Sequence, residues 1–139
     1  MCEMAARIDS GQLAGIVTLC VDNEPSVLDG METLLRGWGC EVIKAPNLAL
    51  ALAAISESQT IPNGLLVDYH LDQGNGIEAI VTLRQRYGDL PAILITADRS
   101  PAVREQARSE GVHVLHKPIK PAALRALLAQ WRVQRVAAE

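Results

Sequence analysis

Five short segments rich in apolar residues are spaced along the chain, and four of them lead directly into a polar or charged residue. The clearest is Leu65-Leu-Val67, an apolar run without alternation, which is typical of a strand covered on both faces within a parallel sheet. The predicted strands span residues 16–21, 40–45, 64–68, 91–96 and 112–116.

The segments between and after these strands predict five helices. Pro25 is well placed in a first helical turn, Asn47 can cap a second helix that ends at Ile55, and Ser100-Pro101 can open a fourth helix that ends near Gly111. Residues 56–63 are predicted to form a loop. The first, third and fifth helices carry apolar residues at helical spacing: Val27, Met31, Leu34, Leu35 and Trp38; Ile77, Ile80, Leu83 and Tyr87; Leu124, Leu127, Leu128 and Trp131.

Strict alternation of strands and helices predicts parallel strands joined by right-handed crossovers. A chain of 139 residues suits one such domain, so the expected fold is α/β, a single doubly wound, flavodoxin-like (βα)5 domain with a five-stranded parallel sheet. The natural strand order is 2-1-3-4-5. We expect this domain to span residues 15–135, with residues 1–14 as a linker or cloning remnant and residues 136–139 as a tail.

Polar groups follow four of the strands at one edge of the predicted sheet: Asp22 and Asn23, Asp68, Thr96, and Lys117. Carboxylates suit a hard cation such as Mg²⁺, whereas a hydroxyl and an ammonium suit the oxygens of a phosphoryl group. Each residue also has an ordinary structural interpretation. Asp22 and Asn23 could cap a helix, Asp68 could form a turn, Thr96 could fill a strand and Lys117 could be a solvated surface charge. Their convergence on one edge favours a shared site.

Composition narrows the functional classes. The chain has a net charge of −3, two Trp, two Tyr and no Phe, so neither electrostatic attraction nor aromatic stacking favours nucleic acid as a partner. Cys2, Cys20 and Cys40 are too few and too far apart for a zinc or disulfide framework, and buried thiols in a reducing compartment are expected. Neither a signal peptide nor a membrane-spanning run is found, which predicts no membrane insertion by this segment and a cytoplasmic location.

Four motifs in order carry a family resemblance over about residues 16–133. They are Val-Asp-Asn-Glu-Pro at 21–25, Leu-Val-Asp-Tyr-His at 66–70 with Gly76 further on, Leu-Ile-Thr-Ala at 94–97, and His-Lys-Pro at 116–118. Each stands at a strand end. Together they resemble the receiver domains of two-component response regulators.

The resemblance implies that Asp68 accepts a phosphoryl group from the phosphohistidine of a histidine kinase or histidine phosphotransfer domain. Mg²⁺ would be held by Asp22, Asn23, Asp68 and the backbone carbonyl of His70. A carboxylate nucleophile needs little activation, so positioning and charge neutralisation would do most of the chemistry.

Other positions receive roles from the same resemblance. Thr96 and Ala97 would bind the phosphoryl oxygens, Lys117 would pair with them, and the Lys117–Pro118 peptide would be cis. Thr96 and the residue at 114 would form the conformational switch.

Three residues depart from the usual receiver pattern. Asn23 replaces the second acid after strand 1, Val114 replaces a common Tyr or Phe, and Asp72 replaces a proline four residues after the acceptor. Loss of the acid is expected to weaken metal binding, and loss of the ring is expected to weaken conformational readout through strand 5.

The amino-acid sequence of residues 34–42 and 68–72 also resembles that of the C-terminal receiver of hybrid sensor histidine kinases. The alternatives are a stand-alone response regulator, or a pseudo-receiver that binds partners without phosphorylation. A phosphomonoester hydrolase with an Asp nucleophile is a competing class. Such an enzyme is expected to carry an Asp-x-Asp pair, whereas residues 22–24 form Asp-x-Glu. We therefore expect a switch and not an enzyme, with a weak homodimer as a further partner class.

Overall fold

A computed structural model describes residues 13–138 of the chain, with side chains described for residues 13–131. It contains five strands and five helices in strict alternation: β1 (Val17–Val21), α1 (Pro25–Gly37), β2 (Glu41–Ala45), α2 (Leu48–Ser58), β3 (Gly64–Asp68), α3 (Gly76–Tyr87), β4 (Ala92–Thr96), α4 (Pro101–Ser109), β5 (His113–His116) and α5 (Pro121–Ala138). All strand pairs are parallel and the order is β2-β1-β3-β4-β5. The predicted fold and strand order are confirmed.

The core consists of two apolar layers, one on each face of the sheet. In β3, Leu65 and Val67 join a cluster with residues of α2, α3 and α4, whereas Leu66 joins a cluster with residues of α1 and α5. Every residue of β1, β3 and β4 is buried, while the edge strands β2 and β5 are partly exposed. Burial on both faces explains why the central strands read as continuous apolar runs.

One close contact fixes α5 against the sheet. A Cβ added at Gly64 would lie 2.4–2.6 Å from ring atoms of Trp131, so the indole occupies the space that a side chain at this position would need. Trp131 is buried in the same cluster as Leu124 and Leu128. The absence of a side chain at the start of β3 therefore allows α5 to pack closely on the central strand.

Other predictions concern the chain start and the thiols. Leu13 is buried, and its N–H donates to the carbonyl of Trp38, whereas residues 1–12, including Cys2, lie outside the described residues. Cys20 and Cys40 are free buried thiols. Burial raises the pKa of Cys20 and raises the pKa of Cys40 to about 11. Within residues 13–138, none of the helices has the length and apolar character of a membrane span.

The second helix is longer than the sequence pattern indicates. It was expected to end at Ile55, but α2 continues to Ser58, and Gln59 closes it in the left-handed conformation with φ 56°. The polar Ser-Glu-Ser sequence after Ile55 resembles a loop in composition, yet it contains neither the glycine nor the proline that would stop a helix. The prediction of a loop over residues 56–58 was therefore wrong.

Candidate functional site

The ends of β1 and β3 bring two carboxylates to the same edge. Val21 pairs with Val67 in the parallel ladder, so the residues that follow, Asp22 and Asp68, leave the sheet at the same level. Both are buried, with relative exposures of 1% and 3%. The N–H of Asp22 donates to the carbonyl of Ala45, which anchors the first carboxylate to the neighbouring strand. Two buried acids on adjacent central strands make this edge the chemical centre of the molecule.

Lys117 supplies the positive charge at this edge. Its Nζ lies 2.8 Å from Oδ1 of Asp68, and its own N–H donates to the carbonyl of Thr96 at 3.0 Å. The Lys117–Pro118 peptide is cis. The ammonium therefore extends from β5 across β4 to the acid at the end of β3.

Backbone amides hold the outer oxygens of both carboxylates. Asp22 Oδ1 accepts from the N–H of Glu24 at 2.9 Å, and Asp68 Oδ2 accepts from the N–H of His70 at 3.0 Å. Asp22 Oδ2 is buried without a hydrogen-bond partner. A buried carboxylate oxygen without a partner is costly, so this atom identifies a position where a cation would be stabilised.

The loop after β3 is closed on itself by backbone contacts. His70 and Asn75 form an isolated antiparallel bridge, and the N–H of Gly76 donates to the carbonyl of Tyr69 at 2.9 Å. Asn75 and Glu78 then form a reciprocal capping box at the start of α3. A Cβ added at Gly76 would lie 2.3 Å from the carbonyl oxygen of Asp68. Only glycine lets the helix start this close to the central acid.

Thr96 is the last residue of β4, which pairs with β3, the strand that ends at Asp68. Thr96 is fully buried. Its Oγ1 accepts a hydrogen bond from the N–H of Asp98 at 2.9 Å, which leaves the hydroxyl proton free to be donated elsewhere. Asp98 in turn accepts from the N–H of Ser100, which caps α4. Ala97, between Thr96 and Asp98, is exposed. These contacts order the β4–α4 loop without blocking the site with a large side chain.

Asn23 makes an unexpected contact. Its Nδ2 donates to Oδ1 of Asp72 at 2.9 Å, across 49 residues of sequence. Asp72 lies in the loop after β3 and is exposed, and Asn23 is partly buried. The residue that lacks the expected acid is thus hydrogen-bonded to an acid in a neighbouring loop.

The electrostatics of the site are those of two acids facing one base. Burial raises the pKa of Asp22, and the charge of Asp68 raises it further, while the Glu24 N–H and Lys117 oppose the rise. The hydrogen bond to Asp68 raises the pKa of Lys117. The edge therefore carries an excess of negative charge that a bound cation would relieve.

The donor set fits a hard divalent cation. Residues 13–131 contain no cluster of three or more His, Cys, Asp or Glu side chains able to hold a metal. The groups present at this edge are the carboxylates of Asp22 and Asp68, with the side-chain amide of Asn23 next to Asp22 in sequence and the main chain of His70 hydrogen-bonded to Asp68. All of these groups carry oxygen donors, and Mg²⁺ commonly binds one or two carboxylates while keeping several waters.

The side chains of two predicted site residues, Val114 and His70, contact groups other than the two acids. Val114 is partly buried and packs against the cluster formed by α2, α3 and α4. Because valine has no aromatic ring, this position cannot exchange a ring between the core and solvent. The side chain of His70 is exposed and stacks edge-on against Tyr69 with 5.0 Å between ring centroids. The roles of both residues stay predictions.

Sequence reasoning missed two features of the site. Gly76 was noted only as part of a motif, although its close approach to the carbonyl of Asp68 constrains the loop. The sequence pattern gives Asp72 no role beyond replacing a proline, although Asp72 is the hydrogen-bond partner of Asn23. The available signal was complementary: one expected acid is missing at position 23, and one unexpected acid is present at position 72.

Comparison with known proteins supports one family. The sequence model of the response regulator receiver domain family matches residues 18–129, which is well over half of the chain. The methanol utilization control regulatory protein MoxX of Paracoccus denitrificans is 27% identical over 126 residues. The match covers 88% of this chain and 56% of MoxX, so the chain spans about half the length of that relative.

Solved structures show the same fold. A receiver domain from Clostridium thermocellum superposes with a TM-score of 0.81 at 18% identity, covering 89% of this chain and 99% of that one. The chemotaxis protein CheY4 of Vibrio cholerae gives a TM-score of 0.75 at 24% identity, covering 84% and 98%.

Proposed function

Because this chain belongs to the response regulator receiver domain family, we propose that it accepts a phosphoryl group on Asp68. The donor is the phosphohistidine of a histidine kinase or of a histidine phosphotransfer domain. The domain then acts as a stoichiometric switch in two-component signalling and not as an enzyme with turnover.

The observation that carries this proposal is the environment of Asp68. Its carboxylate is 3% exposed at the end of the central strand, 2.8 Å from the Lys117 ammonium, and next to the buried Asp22. A structural ion pair would not need a second buried acid with an oxygen that lacks a partner. A phosphoacceptor does need such an arrangement, because the incoming phosphoryl group brings more negative charge to a site that must neutralise it.

The chemistry follows from these contacts. A carboxylate oxygen of Asp68 attacks phosphorus, the phosphorus–nitrogen bond of the phosphohistidine breaks, and the imidazole leaves with the electron pair and takes up a proton. The product is a mixed anhydride on Asp68. Lys117 exchanges its contact with the Asp68 carboxylate for a contact with a phosphoryl oxygen. The Thr96 hydroxyl, whose oxygen accepts from the Asp98 N–H, donates a hydrogen bond to another phosphoryl oxygen.

A cation at Asp22 would supply charge neutralisation for the phosphoryl oxygens. Asp22, Asp68, the amide oxygen of Asn23 and the carbonyl of His70 are the groups that would hold Mg²⁺. The chain's own part is to keep these oxygens in place through the Glu24 and His70 amides.

The wider context is also part of the proposal. The curated relative MoxX carries a regulator's name, which favours a response regulator as the protein in which this domain works. A hybrid sensor kinase context and a weak homodimer stay predictions. Phosphotransfer from a histidine kinase implies a cytoplasmic location, where the free buried thiols would remain reduced.

The test is phosphorylation by a small-molecule donor. The protein is incubated with acetyl phosphate or phosphoramidate and Mg²⁺, and its intact mass is measured. One added phosphoryl group is expected. Asp68→Asn should abolish the addition, and Asp89→Asn, an exposed acid outside the site, should leave it unchanged. The proposal is wrong if Asp68→Asn remains modified, or if neither donor modifies the unaltered protein. Steady turnover of an aryl phosphate would instead favour the hydrolase class.

A further inference from the structure

The hydrogen bond between Asn23 and Asp72 joins the β1–α1 loop to the β3–α3 loop. Nδ2 of Asn23 lies 2.9 Å from Oδ1 of Asp72. The contact assigns the two ends of the amide: Nδ2 is the donor engaged by Asp72, and Oδ1 is the remaining acceptor. An amide free to rotate would present either end to a neighbouring cation, whereas this one is held in a single orientation.

The same contact changes the charge of the site. Asp22 and Asp68 contribute two carboxylates, and Lys117 is paired with Asp68 at 2.8 Å. Asn23 contributes no charge, but Asp72 places a third carboxylate one hydrogen bond beyond it. The buried Oδ2 of Asp22, which has no partner, shows independently that this edge is short of positive charge and suited to a cation.

We propose that Asp72 is a positioning residue for the cation site, holding Asn23 with its oxygen available and supplying from the neighbouring loop the negative charge that Asn23 lacks. This inference rests on the proposed function for the existence of the Mg²⁺ site. Asp72 is not a metal ligand here. It acts through the amide and through its field.

The contact by itself has a simpler interpretation as an exposed loop–loop hydrogen bond. Such a bond would make a small contribution to stability and none to cation affinity. The two interpretations differ in two measurable respects. If the contact is purely structural, replacing Asp72 leaves Mg²⁺ affinity unchanged, whereas the proposed role predicts a loss of affinity. The part of that loss that comes from the field of an exposed carboxylate should also be screened by salt.

The experiment is a charge-relocation cycle with Mg²⁺ as the probe. The unaltered protein, Asp72→Asn, Asn23→Asp and the double variant Asn23→Asp/Asp72→Asn are titrated with Mg²⁺ by calorimetry, and the melting temperature of each metal-free form is measured. Asp89→Asn is the matched control, since it removes an exposed acid that lies outside the site.

Asp72→Asn should weaken Mg²⁺ binding by roughly fivefold, or about 1 kcal/mol. The loss should shrink when KCl is raised from about 0.05 to about 0.5 M. The double variant, which moves the acid from position 72 to position 23, should bind Mg²⁺ at least as tightly as the unaltered protein. Asn23→Asp alone should lower the metal-free melting temperature, because it sets two carboxylates at hydrogen-bond distance, and the double variant should recover it.

The proposal is overturned if Asp72→Asn and Asp89→Asn bind Mg²⁺ equally well, or if the loss in Asp72→Asn is the same at both salt concentrations. In those cases phosphorylation of Asp68 would persist, so the proposed function would stand without this inference. Absence of Mg²⁺ binding by the unaltered protein would overturn the inference and remove the metal from the proposed function.

Discussion

The substitution Gly76→Ala tests whether the start of α3 sets the position of the central acid. An ideal Cβ at this position would lie 2.3 Å from the carbonyl oxygen of Asp68 and 2.9 Å from Cδ1 of Leu94. The first neighbour is backbone of a central strand, so it cannot move aside as the end of a flexible side chain could. The loop itself must shift, and the 2.9 Å hydrogen bond from the Gly76 N–H to the Tyr69 carbonyl must lengthen or break.

The expected loss of stability combines two effects. Forcing an extra methyl group into a packed position costs about 1–3 kcal/mol, and losing one backbone hydrogen bond costs about 1 kcal/mol. We therefore expect Gly76→Ala to lower the free energy of unfolding by about 2–4 kcal/mol, which corresponds to a fall in melting temperature on the order of 10 °C. Because the displaced atom belongs to Asp68, phosphorylation by acetyl phosphate should slow even at temperatures where the variant is folded.

The matched control is Gly30→Ala, in the exposed middle of α1. A Cβ there would meet nothing within 4 Å. Alanine in a helix interior should raise the free energy of unfolding by roughly 0.5–1 kcal/mol. Urea titrations followed by tryptophan fluorescence measure both variants. The reasoning fails if Gly76→Ala unfolds within about 0.5 kcal/mol of the unaltered protein, or if Gly30→Ala loses as much stability as Gly76→Ala.

Three further outcomes are expected. Gly64→Ala should lower the free energy of unfolding by about 1–3 kcal/mol, because its Cβ would meet the Trp131 ring at 2.4 Å. Most of this loss should vanish in a Trp131→Leu background, and equal losses in both backgrounds would contradict the packing argument. Burial raises the pKa of Asp22, so its charged form opposes folding: in EDTA, Asp22→Asn should raise the free energy of unfolding at pH 7 by about 1 kcal/mol, and the gain should disappear as the pH falls below the ordinary carboxyl pKa. Since Val114 has no ring to move, amide shifts on adding beryllofluoride should concentrate at the carboxyl ends of β3 and β4, and large shifts along β5 and α5 would argue against weak readout.

The arrangement of the sheet could be predicted because its physical causes are local. Continuous apolar runs such as Leu65-Leu-Val67 mark strands covered on both faces, and parallel strands necessarily bring their carboxyl ends to one edge. That geometry places Asp22 beside Asp68 without any knowledge of distances. The end of α2 was less predictable, because a helix without a glycine or proline stop continues as far as its packing and C-cap permit, here to Gln59 in the left-handed conformation.

Contacts between loops were beyond sequence reasoning. Asn23 and Asp72 lie 49 residues apart in segments without periodicity, so no pattern fixes their distance. The fit of Gly76 against Asp68 likewise depends on a few tenths of an ångström in how the loop closes. Strand ends bring the acids together, but loop packing decides which neighbours tune them.

The most direct test of the central claim is to find the phosphorylated residue itself. After treatment with acetyl phosphate and Mg²⁺, borohydride reduces an aspartyl phosphate to homoserine and releases inorganic phosphate, and tandem mass spectrometry of the digested protein locates the converted residue. Conversion at position 68, and nowhere else, is the predicted result. Conversion at Asp22 or Asp72, or a phosphoryl group that resists borohydride on another residue, would contradict the assignment of Asp68 as the phosphoacceptor.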